Sequence, residues 1–431
     1  LRHRNFALLW AAGLVSNAGD WALAIALPVY VYDLTGSTFA TGAMLLAQSL
    51  PRLLFGLVAG ALADRWDRRR TMIAADLGRA AVLPFLLLVD SPETLPLLYA
   101  VAACEATLAL LYSPAQAGLL PGLVGEVRLP EANGLRAVGW ELARLAAPPV
   151  AGLLMAAYGL PAVVFLDGIS FLVSAALLGL IQVPEGTVAG ADDRDSPRGV
   201  VALGSTRRDL LAGLILVRRD RLLLLLLGVG GLCMLGEGIV NVLGFPWLAQ
   251  VLGGGAAERG WMATAQALGG IAGGLAIRGI GRASATGRAV GVGCILFGVA
   301  SLALTNIGAL PVGDRYEWPL ALLLRSLSGA PLVALTVGLE TLLVRGADDR
   351  FRGRVVAAYG ATNGLALVAG QGLAGVLGDR LGVVPVLSLQ GVLYLAAGMG
   401  ALALLPRYVR RGHRDRRSIA APATAGAEGG G

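Results

Sequence analysis

The segment Gly60-Ala61-Leu62-Ala63-Asp64-Arg65-Trp66-Asp67-Arg68-Arg69-Arg70 ends one apolar run, 38–62, and begins another, 71–89. Each run is close to the ~20 apolar residues that carry a helix across a bilayer. The four arginines between them mark a short loop held on the cytoplasmic side of a membrane. Outward from this junction, the same alternation of apolar run and charged turn repeats along the whole chain.

Composition demands such a pattern. Of 431 residues, 56% are hydrophobic and only 15% are charged, whereas soluble domains carry about 25% charged residues. With 62 glycines added, the apolar share reaches about 70%, against about 45–50% for soluble proteins. There is too little polar surface for a soluble enzyme. All 35 basic residues are Arg, so a Walker A phosphate loop, which needs Lys, is excluded, as are Schiff-base and Ser-Lys chemistries. Histidine occurs only as His3 and His413, which leaves no histidine-based metal site or proton relay. Cys104, Cys233 and Cys294 lie in apolar stretches and read as buried packing residues. No cofactor and no metal is expected, and no cleavable signal peptide is read. Ser49, Ser113 and Ser170 lack a histidine partner, so no catalytic residues are assigned.

Twelve candidate spans follow: 6–33, 38–62, 71–89, 95–120, 132–157, 161–181, 222–251, 257–280, 288–306, 318–344, 354–378 and 385–405. The fold class is therefore an all-α membrane protein of twelve transmembrane helices. Its expected organisation is a six-helix half (1–181), a cytoplasmic linker with an interfacial helix (182–221), a second six-helix half (222–405) and a disordered cytoplasmic tail (406–431). Loops on the side of the N-terminus hold 27 arginines, the opposite loops only Arg259, Arg315 and Arg380. This bias predicts that both termini and the linker are cytoplasmic, in a plasma membrane. It also explains the net charge of +7 without nucleic acid, for which no clustered module exists.

The two halves repeat each other. Ala59-Gly60-Ala61-Leu62-Ala63-Asp64-Arg65 corresponds to Ala272-Gly273-Gly274-Leu275-Ala276-Ile277-Arg278, Gly19-Asp20 to Gly236-Glu237, and Ala151-Gly152 to Ala374-Gly375. Gly168 and Phe171 correspond to Gly391 and Tyr394, and all offsets lie between 213 and 223. Parallel six-helix repeats with a site at their interface near the midplane describe a secondary transporter.

The 60–70 segment resembles the signature loop of the major facilitator superfamily, Gly-x-Leu-Ala-Asp-Arg-x-Gly-Arg-Lys/Arg, departing from it at Asp67, where the pattern has Gly. Pro51-Arg52, Asp76-x-x-Arg79 and Asp167-Gly-Ile-Ser-Phe171 are similar to the drug:proton antiporter branch that includes macrolide-efflux and enterobactin-export proteins. The resemblance implies the twelve-helix, two-half major facilitator fold. It also implies a conformational latch made by Gly60, Asp64, Arg65, Arg68, Arg69 and Arg70, with Asp64 meeting the start of the eleventh helix near Arg354. There, an anion at a helix N-terminus is favoured by the dipole. A purely topogenic loop is the alternative. Ala147-Pro148-Pro149-Val150-Ala151-Gly152 is similar to an antiporter motif, Gly-Pro-x-x-Gly-Gly, in which Pro148, Pro149 and Gly152 serve helix packing. An ordinary kinked packing helix is the other reading.

Ionisable residues inside a bilayer are costly and need a partner or a function. Asp20 lies about fourteen residues into its span, roughly 21 Å along a helix. Glu237 sits at a similar depth, and Glu105 lies near the midplane. The family fold lines its central cavity with the first, fourth, seventh and tenth helices. Asp20, Glu105 and Glu237 thereby become candidates for proton coupling or substrate attraction, with structural ion pairing as the alternative, and Arg52 is a candidate counter-ion. A carboxyl group binds its proton more tightly when desolvated and less tightly beside an arginine, so alternating surroundings load and release a proton. Asp76/Arg79 and Glu141/Arg144 are spaced to neutralise themselves on one helix face, although Arg144 could instead pair with Asp167.

The expectation is a monomeric, proton-coupled efflux transporter of hydrophobic small molecules, whose partners are that substrate, protons and the lipid bilayer. The alternatives are a dedicated exporter of an endogenous metabolite such as a siderophore or lysolipid and, from another class, a non-transporting membrane scaffold or sensor.

Overall fold

The computed structural model describes residues 4–63, 66–182, 220–276, 283–311, 313–346 and 352–420. Among them are twelve α-helices. The first half contains α1 (Arg4–Thr35), α2 (Thr38–Ala63), α3 (Arg68–Val82), α4 (Leu95–Val124), α5 (Leu129–Tyr158) and α6 (Leu160–Gly179). The second contains α7 (Arg221–Leu252), α8 (Ala256–Ala276), α9 (Ala283–Thr305), α10 (Asp314–Gly346), α11 (Arg352–Leu381) and α12 (Val383–Ala420). The ends follow local chemistry. Asp67, the departure from the family loop, caps α3 by accepting a 2.7 Å hydrogen bond from the Arg70 amide. At the other end of α3, Pro84 cannot continue an α-helix, and Leu83–Leu88 runs on as a 3-10 turn.

Packing repeats between the halves. In the first, α1 rests on α5 and α6, α2 on α4, and α3 on α4 and α6. In the second, α7 rests on α11 and α12, α8 on α10, and α9 on α10 and α12. The halves meet through α2 against α11 and α5 against α8. Among the described residues, eight helices are long and apolar enough to cross a membrane by length and composition alone. Among the remaining helices, α5 and α11 carry too many polar residues within the described stretch to meet that measure, and both lie at the interface between the halves. A helix that packs on protein keeps polar residues that a lipid-facing helix would not.

Small residues set the distance between the halves. A Cβ on Gly42 would lie 3.0 Å from the Gly375 Cα, and one on Gly260 would lie 2.9 Å from the Pro149 Cα. Gly152 and Gly375 correspond in the internal repeat, and a Cβ on either would meet the first turn of the facing helix, Ala256–Ala257 or Thr38–Phe39, so the two interfaces are versions of one contact.

Two expectations change. Residues 406–420 continue α12 as helix, where a disordered tail was expected; arginine is a good helix former, and basic residues favour a helix C-terminus. Residues 421–431 and most of the expected linker, 183–219, lie outside the described residues. Cys104 is exposed, while Cys233 and Cys294 are buried with sulfurs 4.0 Å apart.

Candidate functional site

In the first half a single guanidinium gathers acids from three helices. Arg79, on α3 and 3% exposed, forms ion pairs with Asp20 of α1 and Glu105 of α4. Its Nε and Nη2 donate to the Glu105 Oε1 at 2.9 and 2.5 Å, and Nη2 also donates to the Asp20 Oδ1. The Phe171 ring of α6 lies under the guanidinium, 3.9 Å from the Cζ, a cation–π contact. Asp76 lies 3.9 Å away and is fully buried, with Ser174 as its polar neighbour. Asp167 of α6 is also buried; its Oδ1 accepts from the Ser170 hydroxyl at 3.2 Å, and its Oδ2 has no partner among the described residues. Gly19 admits this pair against α1, since a Cβ there would run into the Asp167 carboxylate and the Ser170 hydroxyl.

Asp20 and Glu105 thus come together on one counter-ion, and it is Arg79, not Arg52. Arg52 is exposed on α2 and makes no ion pair among the described residues. The i, i+3 pairing of Asp76 with Arg79 is likewise secondary. Because α3 packs on α4 and α6, the planar five-donor fork of Arg79 reaches across the half. Arg144 pairs with Glu141 at 2.8 Å on the surface of α5 and leaves Asp167 to α6.

Asp20 keeps 35% of its side-chain surface open, against 13% for Glu105. One turn before it, Asn17 lines a cavity of about 290 Å³ between α1, α4 and α5. Trp10 and Trp140 form apolar walls, and Gln116, Asn133 and Arg136 are polar groups. Arg136 donates to the Gln116 Oε1 at 2.9 Å, and Trp140 meets Trp21 edge-on at 5.9 Å. Apolar walls with a few fixed polar groups suit a small organic molecule.

Glu237 lies in the second half, apart from this cluster. Charges acting on it come from Arg325, Arg259 and Arg144, but among the described residues it has no ion pair. Arg259, expected in a loop, belongs to α8, and with Arg325 it lines a separate small cavity. Neither arginine was singled out from the sequence.

Of the expected latch, Asp64 and Arg65 lie outside the described residues, and Gly60 belongs to α2. Arg68 donates to the Gly118 carbonyl of α4 at 2.7 Å, and Arg69 to the Leu178 and Gly179 carbonyls ending α6. Arg70 is exposed. These arginines hold their own half together. Pro148, Pro149 and Gly152 lie where α5 meets α8; a Cβ on Gly152 would strike the Ala256 carbonyl.

The cross-half contacts concentrate at the face of the bundle remote from the chain ends. There the Asp379 carboxylate of α11 caps α2, accepting from the Ser37 hydroxyl (2.7 Å), the Thr38 amide (2.7 Å) and hydroxyl (2.8 Å), and the Phe39 amide (3.2 Å). Gln250 of α7 donates to the Tyr32 hydroxyl of α1 at 2.6 Å. Sequence reasoning missed this clasp. Ser37-Thr38 is a legible N-cap signal, but nothing local points to an acid so far along the chain.

The family model of the Major Facilitator Superfamily matches residues 9–243 and 226–427. Macrolide efflux protein A of Streptococcus pyogenes is 26% identical over 383 residues, 88% of this chain and 90% of that protein. The enterobactin exporter EntS of Shigella boydii is 26% identical over 419 residues, 94% and 92% of the two chains. Among solved structures, a bacterial homologue of the iron transporter ferroportin in its inward-facing state superposes with a TM-score of 0.71 at 18% identity, covering 94% of this chain and 98% of that one. With the family model spanning both halves, the chain belongs to the Major Facilitator Superfamily.

Proposed function

We propose that this transporter exports hydrophobic small molecules across the plasma membrane in exchange for protons, working as a monomer with both termini in the cytoplasm. The observation that carries this reading is the sharing of the buried Arg79 by Asp20 and Glu105, beside a cavity that begins one turn from Asp20. One guanidinium cannot balance Asp20, Asp76, Glu105 and Asp167 together, and unbalanced buried charge is costly. Proton binding at Asp20 or Glu105 relieves the excess and frees the arginine from one partner. Substrate in the cavity favours the opposite exchange. Alternating access follows if each state of the cluster favours one arrangement of the halves.

Similarity to a macrolide efflux protein supports a hydrophobic drug as cargo. Similarity to an enterobactin exporter supports the second reading, dedicated export of one endogenous metabolite. The test is uptake of a labelled macrolide into inside-out vesicles energised by an acid interior. Uptake that collapses with a protonophore supports drug:proton exchange. Absence of macrolide movement by folded protein turns the search to a metabolite. Indifference of every flux to neutralising the acids favours a scaffold.

A further inference from the structure

The second half holds two cations that the exchange cycle does not use. Arg259 of α8 and Arg325 of α10 line one cavity with Ser301 and Gln390, walled by Trp247 and Met262. Its free space is about 30 Å³, room for one or two water-sized particles. Arg259 fits because residue 244 is glycine, where a Cβ would come within 3.2 Å of the Arg259 Cζ.

Charge and donor chemistry describe the occupant. Glu237 is the acid acting on both guanidiniums, which leaves a formal excess of one positive charge. Among the described residues neither guanidinium makes an ion pair or hydrogen bond, so their donors remain uncommitted. The Gln390 side-chain nitrogen is a third donor without an acceptor among the described residues, on a residue only 2% exposed. An orphaned buried donor costs about 1–3 kcal/mol, and more where it is charged. A water molecule could accept from these groups but would not neutralise the charge. The narrow interior favours a small anion over a dicarboxylate or a large organic anion. What remains is small, singly negative and acceptor-only.

We propose that this cavity binds one halide-sized monovalent anion, chloride being the abundant example, between Arg259, Arg325 and the Gln390 nitrogen. The anion balances the charge and ties α8, α10 and α12 together. This site is separate from the acid cluster, and its occupancy is measured without transport.

Thermal unfolding of the purified full chain, in chloride, bromide or gluconate salts at equal ionic strength, tests the proposal. Ligand binding to the folded state raises the midpoint with ligand concentration. Chloride and bromide are expected to raise it saturably, whereas gluconate, too large for the cavity, is not. Arg325→Gln and Gln390→Leu are expected to weaken the chloride effect about tenfold or more, since each removes a hydrogen bond to a charged ligand. Arg315→Gln, on the exposed start of α10, is expected to leave it unchanged. Should the cavity variants fail to fold, chlorine-35 line broadening by the wild-type protein, reversed by bromide, provides the same decision. Equal midpoints in chloride and gluconate, absence of specific broadening, or a full chloride effect in Arg325→Gln would overturn the proposal.

Discussion

The charged centres of the two halves occupy related positions and have opposite character. Gly19-Asp20 and Gly236-Glu237 correspond in the repeat, as do Phe171 and Tyr394. By the offset of Phe171 and Tyr394, Asp167 corresponds to Gln390. One scaffold therefore presents four acids around Arg79 in the first half, and two arginines near one acid in the second. The difference teaches that duplication preserved backbone contacts, such as those at Gly152 and Gly375, while the ionisable side chains diverged. An acid excess can take up and release protons. A basic excess holds an anion.

The sharpest way to break this comparison is at its one shared cation. Arg79→Gln strands Asp20 and Glu105 without a partner, and removing one member of a buried ion pair costs about 3–5 kcal/mol. Thermal unfolding in detergent should show a marked loss of stability, and the variant should not transport. Unchanged stability would mean that the acids do not depend on Arg79.

Next in size is the clasp between the halves. Asp379→Ala removes the acceptor for four hydrogen bonds at the start of α2. A loss of about 2 kcal/mol, roughly 30-fold in the equilibrium, should open the remote face. Distances between spin labels on α2 and α11 would lengthen there; an unchanged distribution would exclude the clasp as a gate.

Gly152→Ala sharpens the comparison between the repeated interfaces. The added methyl meets the Ala256 carbonyl, whereas Gly364→Ala, on the other interface, meets only the Leu53 side chain at 3.8 Å. The first should shift the same label distances and the second should not. The smallest effect belongs to Arg144→Gln, which breaks an exposed pair with Glu141; such pairs contribute up to about 1 kcal/mol, and the unfolding midpoint should barely move.

How far the sequence revealed this arrangement depended on the range of each interaction. The spans were legible because lipid imposes a length and an apolar composition that run continuously along the chain. Asp20 and Glu105 stood out because an acid in an apolar run has no local explanation. Arg79 did not, because Asp76 three residues earlier offered it one, and only the packing of α3 on α4 and α6 reveals its longer reach. Arg52 was the converse, an arginine at a plausible depth that stays exposed on α2 and forms no ion pair with the acids among the described residues. Arg259, counted with the loops although it falls within the expected span 257–280, belongs to the first turn of α8. Long-range pairing leaves no periodic trace, and in this protein it decides which charges work together.

The central claim is that proton coupling resides in the first half. Substrate uptake into inside-out vesicles, driven by a pH gradient, can be compared with substrate exchange at equal pH for Asp20→Asn, Glu105→Gln and Glu237→Gln at matched expression. The expected result is that Asp20→Asn or Glu105→Gln loses gradient-driven uptake while retaining exchange, and that Glu237→Gln keeps both. Gradient-driven uptake intact in both first-half variants and lost in Glu237→Gln would contradict the claim and move coupling to the second half.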